Sequence, residues 1–269
     1  MKIFISADME GIAGVTAWEE VDPDHARYPA AQAEMTAEVA AACEAAFEAG
    51  AREIWVRDAH WHARNLIGEN LPKGVKLIRG WSRHPYLMVQ EIDKSFDAAL
   101  FVGYHSRAGS AGNPLAHTIE PAVHSIRING ELISEFRLYA GAAALENVPV
   151  VFLSGDREIC ESARALCPQI ETATILEGHG ASTVSVHPED ARHMIREGVK
   201  RALAARDFSR FPRLALSGPF EVEVRYTLPA DACKHSHFPG ARLKDEHTIA
   251  FKCAEYLDVL KTLPYVCGA

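Results

Sequence analysis

Two carboxylates two residues apart, Asp8 and Glu10, lie in the segment Ser6-Ala7-Asp8-Met9-Glu10-Gly11, directly after a short apolar run. In an extended chain, residues two apart face the same side, and a turn at Gly11 lets them converge. Carboxylates held together without a counter-charge repel until one takes up a proton, a cost that a divalent cation removes. His60, in Asp58-Ala59-His60, and His105, in Gly103-Tyr104-His105-Ser106-Arg107, each follow an apolar run and are placed to add neutral nitrogen ligands. Two imidazoles with several carboxylates suit zinc better than magnesium or calcium, and manganese, cobalt and iron also fit such a set. A fourth polar cluster, Gly155-Asp156-Arg157, closes another apolar run. Any one of these clusters alone is what a helix cap or turn looks like. The metal reading rests on Asp8, Glu10, His60 and His105 acting together.

The elements that position these residues follow from hydrophobic periodicity. Lys2–Ala7, 53–57, 98–103 and 148–154 read as strands; 31–49, 134–146, 157–166 and 188–205 read as helices. In the first helix Met35, Val39, Ala42, Cys43, Ala46 and Phe47 recur at helical spacing, and Gly50 closes it. The last opens on Pro188, suited to a first helical turn. Asn129-Gly130 within 126–132 signals a hairpin. Strands alternating with helices predict an α/β fold, a mostly parallel sheet flanked by helices with one inserted hairpin. In such sheets sites gather at the carboxyl ends of the strands. After Asp207 the pattern changes: 213–217 and 220–227 read as strands around Gly218-Pro219, and 248–252 as a strand before a helix at 254–262. The expected division is an α/β metal-binding catalytic domain over 1–206 and a smaller α+β domain over 207–269.

The 269 residues are enough for a large buried core, and 48% hydrophobic with 24% charged residues is an ordinary globular balance. No apolar run approaches the roughly 20 residues of a membrane span, and the N-terminal run is too short and wrongly flanked for a secretory signal. A soluble, cytoplasmic protein is expected. A net charge of −8 without a basic run argues against nucleic acid or an anionic membrane as partner. The six cysteines are scattered without a Cys-x-x-Cys pair, so neither a zinc ribbon nor a disulfide framework is suggested, and most are expected as small buried hydrophobes. Thirteen histidines in an acidic chain are in keeping with a nitrogen- and oxygen-ligated metal.

Together, Ser6-Ala7-Asp8-Met9-Glu10-Gly11-Ile12-Ala13-Gly14, Val56-Arg57-Asp58-Ala59-His60, Gly103-Tyr104-His105-Ser106-Arg107, Ala116-His117-Thr118 and the region of Glu135 resemble the DppA-type D-aminopeptidases, dinuclear zinc peptidases of bacteria. The resemblance implies that Asp8 bridges two zinc ions per subunit, that Glu10 and His60 complete one, and that His105 and Glu135 complete the other. Spacing alone leaves Glu131 and Glu135 even. His117, in the glycine-rich loop 109–117, would be the catalytic histidine. Four positive charges from two Zn²⁺ against three carboxylates leave room for one hydroxide, the expected nucleophile. The implied activity is removal of an N-terminal, D-Ala-like residue from short peptides or amides, with His117 giving a proton to the leaving amine or, in the alternative, itself attacking. Resembling proteins form rings, decamers among them, so a homo-oligomer is implied.

Asp58 is expected to bond a ligand histidine or to position a loop, and Arg107 to meet a substrate carboxylate or pair between loops. The chain departs from the family pattern at Arg157, where an Asp-Asp pair has its second acid, and near 174–177, where a lysine is missing. Both departures put the preference for D-amino-acid peptides in question and keep an amidase of L-configured or non-peptide amides in view. A dinuclear phosphoesterase and a non-catalytic metal module are further rivals, opposed by the lack of a phosphate-binding loop and by His117.

Overall fold

Ile3, Phe4 and Ile5 have no exposed surface, and the strand they form, β1 (Lys2–Ala7), runs through the middle of a seven-stranded sheet. The computed structural model describes residues 1–268. After β1 the chain forms α1 (Trp18–Val21), α2 (Tyr28–Glu48), β2 (Glu53–Asp58), β3 (Val75–Ile78), β4 (Ala98–Tyr104), β5 (Val123–Ile128), β6 (Glu131–Leu132) and α3 (Glu135–Leu145). It continues through β7 (Val150–Asp156), α4 (Arg157–Leu166), β8 (Glu171–His179), β9 (Ser182–Ser185) and α5 (Pro188–Ala204). The last elements are β10 (Phe220–Tyr226), α6 (Pro229–Ser236), β11 (Arg242–Asp245), β12 (Thr248–Cys253) and α7 (Tyr256–Cys267).

The large sheet has the order β3-β2-β1-β4-β7-β8-β9, parallel throughout except for β9. From β1 the chain moves outward through β2 to β3, then returns to β4 on the other side of β1. The order therefore reverses between β1 and β4, the crevice where open α/β sheets bind ligands. β4 and β7 are buried along their whole length, as strands covered on both faces must be. Helix α2 packs against α5, and its end is a Schellman closure: Gly50, at φ +94°, donates to Phe47 O, and Ala51 donates to Ala46 O.

The second sheet is antiparallel, in the order β11-β12-β10-β5-β6. Its β5–β6 hairpin turns at Asn129 (φ +51°) and Gly130 (φ +83°), the pair of positive angles that a two-residue turn of this kind needs. The hairpin comes from the N-terminal part of the chain and the other three strands from the C-terminal part, so the expected boundary at 206 does not follow sheet membership. Residues 213–217 are not a strand. Their carbonyls are met by side chains instead, Leu214 O by Arg137 and Ser217 O by Asn129. The β8–β9 pair was not expected from periodicity. Among the described residues no helix is long and apolar enough to cross a membrane, and Cys43, Cys160, Cys167 and Cys267 are buried thiols.

Candidate metal centre and its cavity

Asp8 and Glu10 leave the end of β1 in a loop pressed onto β4. Asp8 N donates to Val102 O at 2.8 Å and Gly11 N to Gly103 O at 2.9 Å. A Cβ on Gly11 would lie 1.9 Å from Tyr104 O, and one on Gly103, whose φ is +75°, 2.3 Å from Asp8 O. Only glycine at these two positions lets the acid-bearing loop cross the strand end. His60 follows β2 by two residues, His105 follows β4 directly, and Glu135 opens α3, whose N-cap Ser134 accepts from Arg137 N. Glu131 stays outside, exposed and paired with Arg137 at 3.0 Å, which separates the two acids that spacing left even.

The five side chains meet in a buried cluster. His60 Nδ1 lies 3.4 Å from Asp8 Oδ1 and 3.1 Å from Glu10 Oε2. His105 Nε2 lies 3.5 Å from Asp8 Oδ2 and 3.2 Å from Glu135 Oε2. The outer nitrogen of each ring faces a carbonyl: His60 Nε2 is 2.8 Å from Val21 O, and His105 Nδ1 is 2.9 Å from Ser106 O. In a neutral ring those contacts place the proton on the outer nitrogen and leave the inner lone pair toward the carboxylates. Asp8 Oδ2, His105 Nε2 and Glu135 Oε2 have no hydrogen-bond partner although buried. Donor atoms of Asp8, Glu10 and His60, and of Asp8, His105 and Glu135, lie within 4.8 Å of one another in each triple. Asp8 belongs to both.

Without a cation the charges find an awkward balance. Burial, then the charge of Glu10, pushes the Asp8 carboxyl up, and the pull of His60 and His105 offsets only part. Burial acts the same way on Glu10 and Glu135, yet the adjacent histidines hold both carboxyls below their usual range. For His60 and His105 burial opposes charging, but the surrounding carboxylates raise both rings well above the ordinary imidazole value. Two protons on the imidazoles thus stand where dications would, and they still leave three atoms unsatisfied. Cations fit this donor set, and binding them would release those protons.

His117 stacks on His105 with ring centroids 4.3 Å apart and planes 12° apart. Its Nδ1 faces Leu115 O at 2.9 Å, and its Nε2 lies 3.9 Å from Glu135 Oε1. Burial, then the neighbouring His105, pushes its pKa below the usual value. A third triple of donor atoms includes His117 with Glu10 and His105. The first two triples account for all three unsatisfied atoms, and His117 is left over. A cavity of about 500 Å³ opens over the cluster, lined by Asp8, Glu10, His60, His117 and Glu135 together with an aromatic wall of Trp18, Trp61 and Trp81.

Asp58 takes the loop-positioning role of the two expected for it. It accepts Asn65 N at 2.5 Å, Leu66 N at 2.8 Å and Asn65 Nδ2 at 2.7 Å, and Asn65 Nδ2 also meets His60 O at 2.6 Å. The imidazole itself is met by Val21 O, a backbone group that residue type could not announce. Arg107 is not brought to this cavity. It donates to Ala108 O and lines a separate hollow with Arg127 and Arg225. The two departures from the family pattern meet each other: Arg157 and Glu177 form an exposed ion pair at 2.6 Å, and neither lines the cavity over the cluster. Asp156 was legible as a cap, and it does cap α4 through Ile159 N. It also receives Ser106 N, Ser106 Oγ and Asn113 Nδ2, so it ties the His105 loop to the glycine-rich loop. Asn113 escaped notice because an asparagine beside Gly112 reads as turn chemistry; its Nδ2 holds Glu10 O at 3.0 Å.

A family model described as D-aminopeptidase matches residues 1–265. A D-aminopeptidase of Bacillus subtilis (strain 168) is 33% identical over 265 residues, covering 98% of this chain and 95% of that protein. Among solved structures, the Zn-dependent D-aminopeptidase DppA from Bacillus subtilis, described as a self-compartmentalizing protease, superposes with a TM-score of 0.93 at 27% identity, over 100% of this chain and 97% of that one.

Proposed function

The chain belongs to the D-aminopeptidase family, and we propose that it is a zinc-dependent peptidase removing an N-terminal D-amino acid from short peptides or amides at the cluster around Asp8. The observation that carries this reading is the convergence of Asp8 Oδ2, His105 Nε2 and Glu135 Oε2, buried and unpartnered, on common ground. Two zinc ions per chain would use every such atom of the cluster: Asp8, Glu10 and His60 would hold one, and Asp8, His105 and Glu135 the other. When bound, zinc supplies the Lewis acidity that activates water and polarises the scissile carbonyl.

The chain's own groups do the rest. The ligand side chains, at most 4% exposed, keep bulk water from the charges. His117, its Nδ1 occupied by Leu115 O, presents Nε2 to the cavity beside Glu135. Its lowered pKa keeps it neutral near pH 7, ready to take a proton from the attacking water and return it to the departing amine. The aromatic wall receives the side chain of the substrate's first residue. By analogy with its self-compartmentalizing relative, this chain assembles into a homo-oligomeric ring that encloses its sites.

Elemental analysis of the purified protein should give two zinc ions per chain, and the loaded protein should hydrolyse D-alaninamide in preference to L-alaninamide. A single ion per chain overturns the bridging role of Asp8. Preference for the L-amide overturns the substrate reading.

A further inference from the structure

Four carboxylates line the cavity, and only three belong to the cluster; the fourth is Glu120. It follows Ile119, whose φ of +70° is one that a β-branched residue adopts only under strain. Glu120 N donates to Thr118 O at 2.9 Å, closing a three-residue turn of the rarer, positive-φ hand. The same turn delivers Ile119 N to Glu135 Oε1 at 2.6 Å. The strained turn thus fixes a metal-side carboxylate and sets the next residue into the cavity wall. The Glu120 side chain is half-buried, and the charge that weighs most on it is the like charge of Glu135. Arg83, the cavity's guanidinium, forms no ion pair with it among the described residues.

A half-buried acid beside other acids, with no ion-pair partner among the described residues, bears a desolvation cost that no neighbouring positive charge offsets. A positive charge on a ligand would offset that. Asp8, Glu10 and Glu135 are not available to such a charge, because cations in the cluster would already balance theirs.

We propose that Glu120 receives the free α-ammonium of the substrate's N-terminal residue and thereby sets the enzyme to cut one residue from the chain end. The inference rests on the aminopeptidase reading and adds to it the residue that recognises the terminus. A carboxylate that pairs with a desolvated ammonium is expected to contribute mainly to binding, through KM.

The test compares zinc-loaded wild type, Glu120→Gln and Glu120→Asp, at equal zinc content, on D-alaninamide and on D-lactamide, in which a hydroxyl replaces the ammonium. Wild type should prefer D-alaninamide, and Glu120→Gln should lower that preference about 10- to 100-fold, through KM, with Glu120→Asp between them. Calorimetric titration with D-alanine and D-lactate should show the same collapse of discrimination in binding. Equal losses on both amides, or undiminished discrimination in Glu120→Gln, overturn the proposal. If wild type hydrolyses neither amide, the aminopeptidase reading fails, while the titrations still decide whether Glu120 distinguishes an ammonium from a hydroxyl.

Discussion

Asp58 ends β2 and Asp8 follows β1, one strand over, and neither is more than 2% exposed. Asp58 accepts three hydrogen bonds from Asn65 and Leu66, and both of its oxygens are used. Asp8 accepts one backbone N–H, from Met9 at 2.9 Å on Oδ1, and its Oδ2 lies 3.5 Å from His105 Nε2 with no hydrogen-bond partner among the described residues. Asp156 repeats the first pattern and Glu135 the second. Burial is therefore not what marks the proposed metal ligands here. A carboxylate whose oxygens are all met by N–H groups is satisfied; one left with an unmet oxygen among other buried carboxylates calls for added positive charge.

The largest effect should come from removing the shared acid. Asp8→Ala is expected to bind neither zinc tightly and to lose activity by a factor on the order of 1,000 or more. Added zinc should raise Tm in wild type and leave the variant's Tm unmoved. A variant that still holds two zinc ions would erase the distinction between Asp8 and Asp58. Asp58→Ala tests the other side. Loss of its three bonds frees the loop that carries His60 and is expected to cost about 1–3 kcal/mol in denaturant unfolding and about 10- to 100-fold in zinc affinity. Metal stoichiometry should remain two, and a fall to one would make Asp58 more than a positioning group.

Glu38, on α2, lies between the two kinds and should give the smallest effect. Its Oε1 accepts Ala13 N at 2.8 Å, just past the acid-bearing loop, while its Oε2 has no partner. Burial raises its carboxyl to about 8. The sign follows: the folded protein holds a proton there that the unfolded chain gives up near 4.5, so the stability contribution is complete below about 4.5 and is lost as pH rises through about 8. Metal-free wild type and Glu38→Gln should match near pH 5, and by pH 8 wild type should be the less stable by about 1 kcal/mol or more in urea unfolding. Parallel curves would show Glu38 ionised throughout.

Much of this was legible beforehand. The apolar runs of β1, β4 and β7 read correctly because strands covered on both faces leave a near-continuous hydrophobic signature, and the shorter Ile54-Trp55-Val56 core sufficed for β2. The α2 closure at Gly50 and the Asn129-Gly130 turn read correctly because backbone angles restrict residue choice. The short stretches that the resemblance used do converge. Other features had no local signature. Residues 171–185 mix small and polar side chains on an edge, so their pairing rests on a neighbouring strand already in place. Residues 213–217 alternate like a strand but meet side chains where a strand would meet backbone. Arg107 looked suited to a substrate carboxylate, and its direction from the loop sends it elsewhere.

By itself, the sequence determined the parallel sheet, the acids and histidines that gather at its strand ends, and the family to which they belong, because those depend on residue type and on spacing along one element. Beyond the resemblance that named Glu135, only the tertiary structure decided that Glu131 stays out, that Val21 O orients His60, that Arg157 pairs with Glu177, and that Glu120 lines the cavity with no ion pair among the described residues. Each of these depends on which groups from distant segments arrive with a lone pair, a proton or a charge, and no local pattern of residues records that.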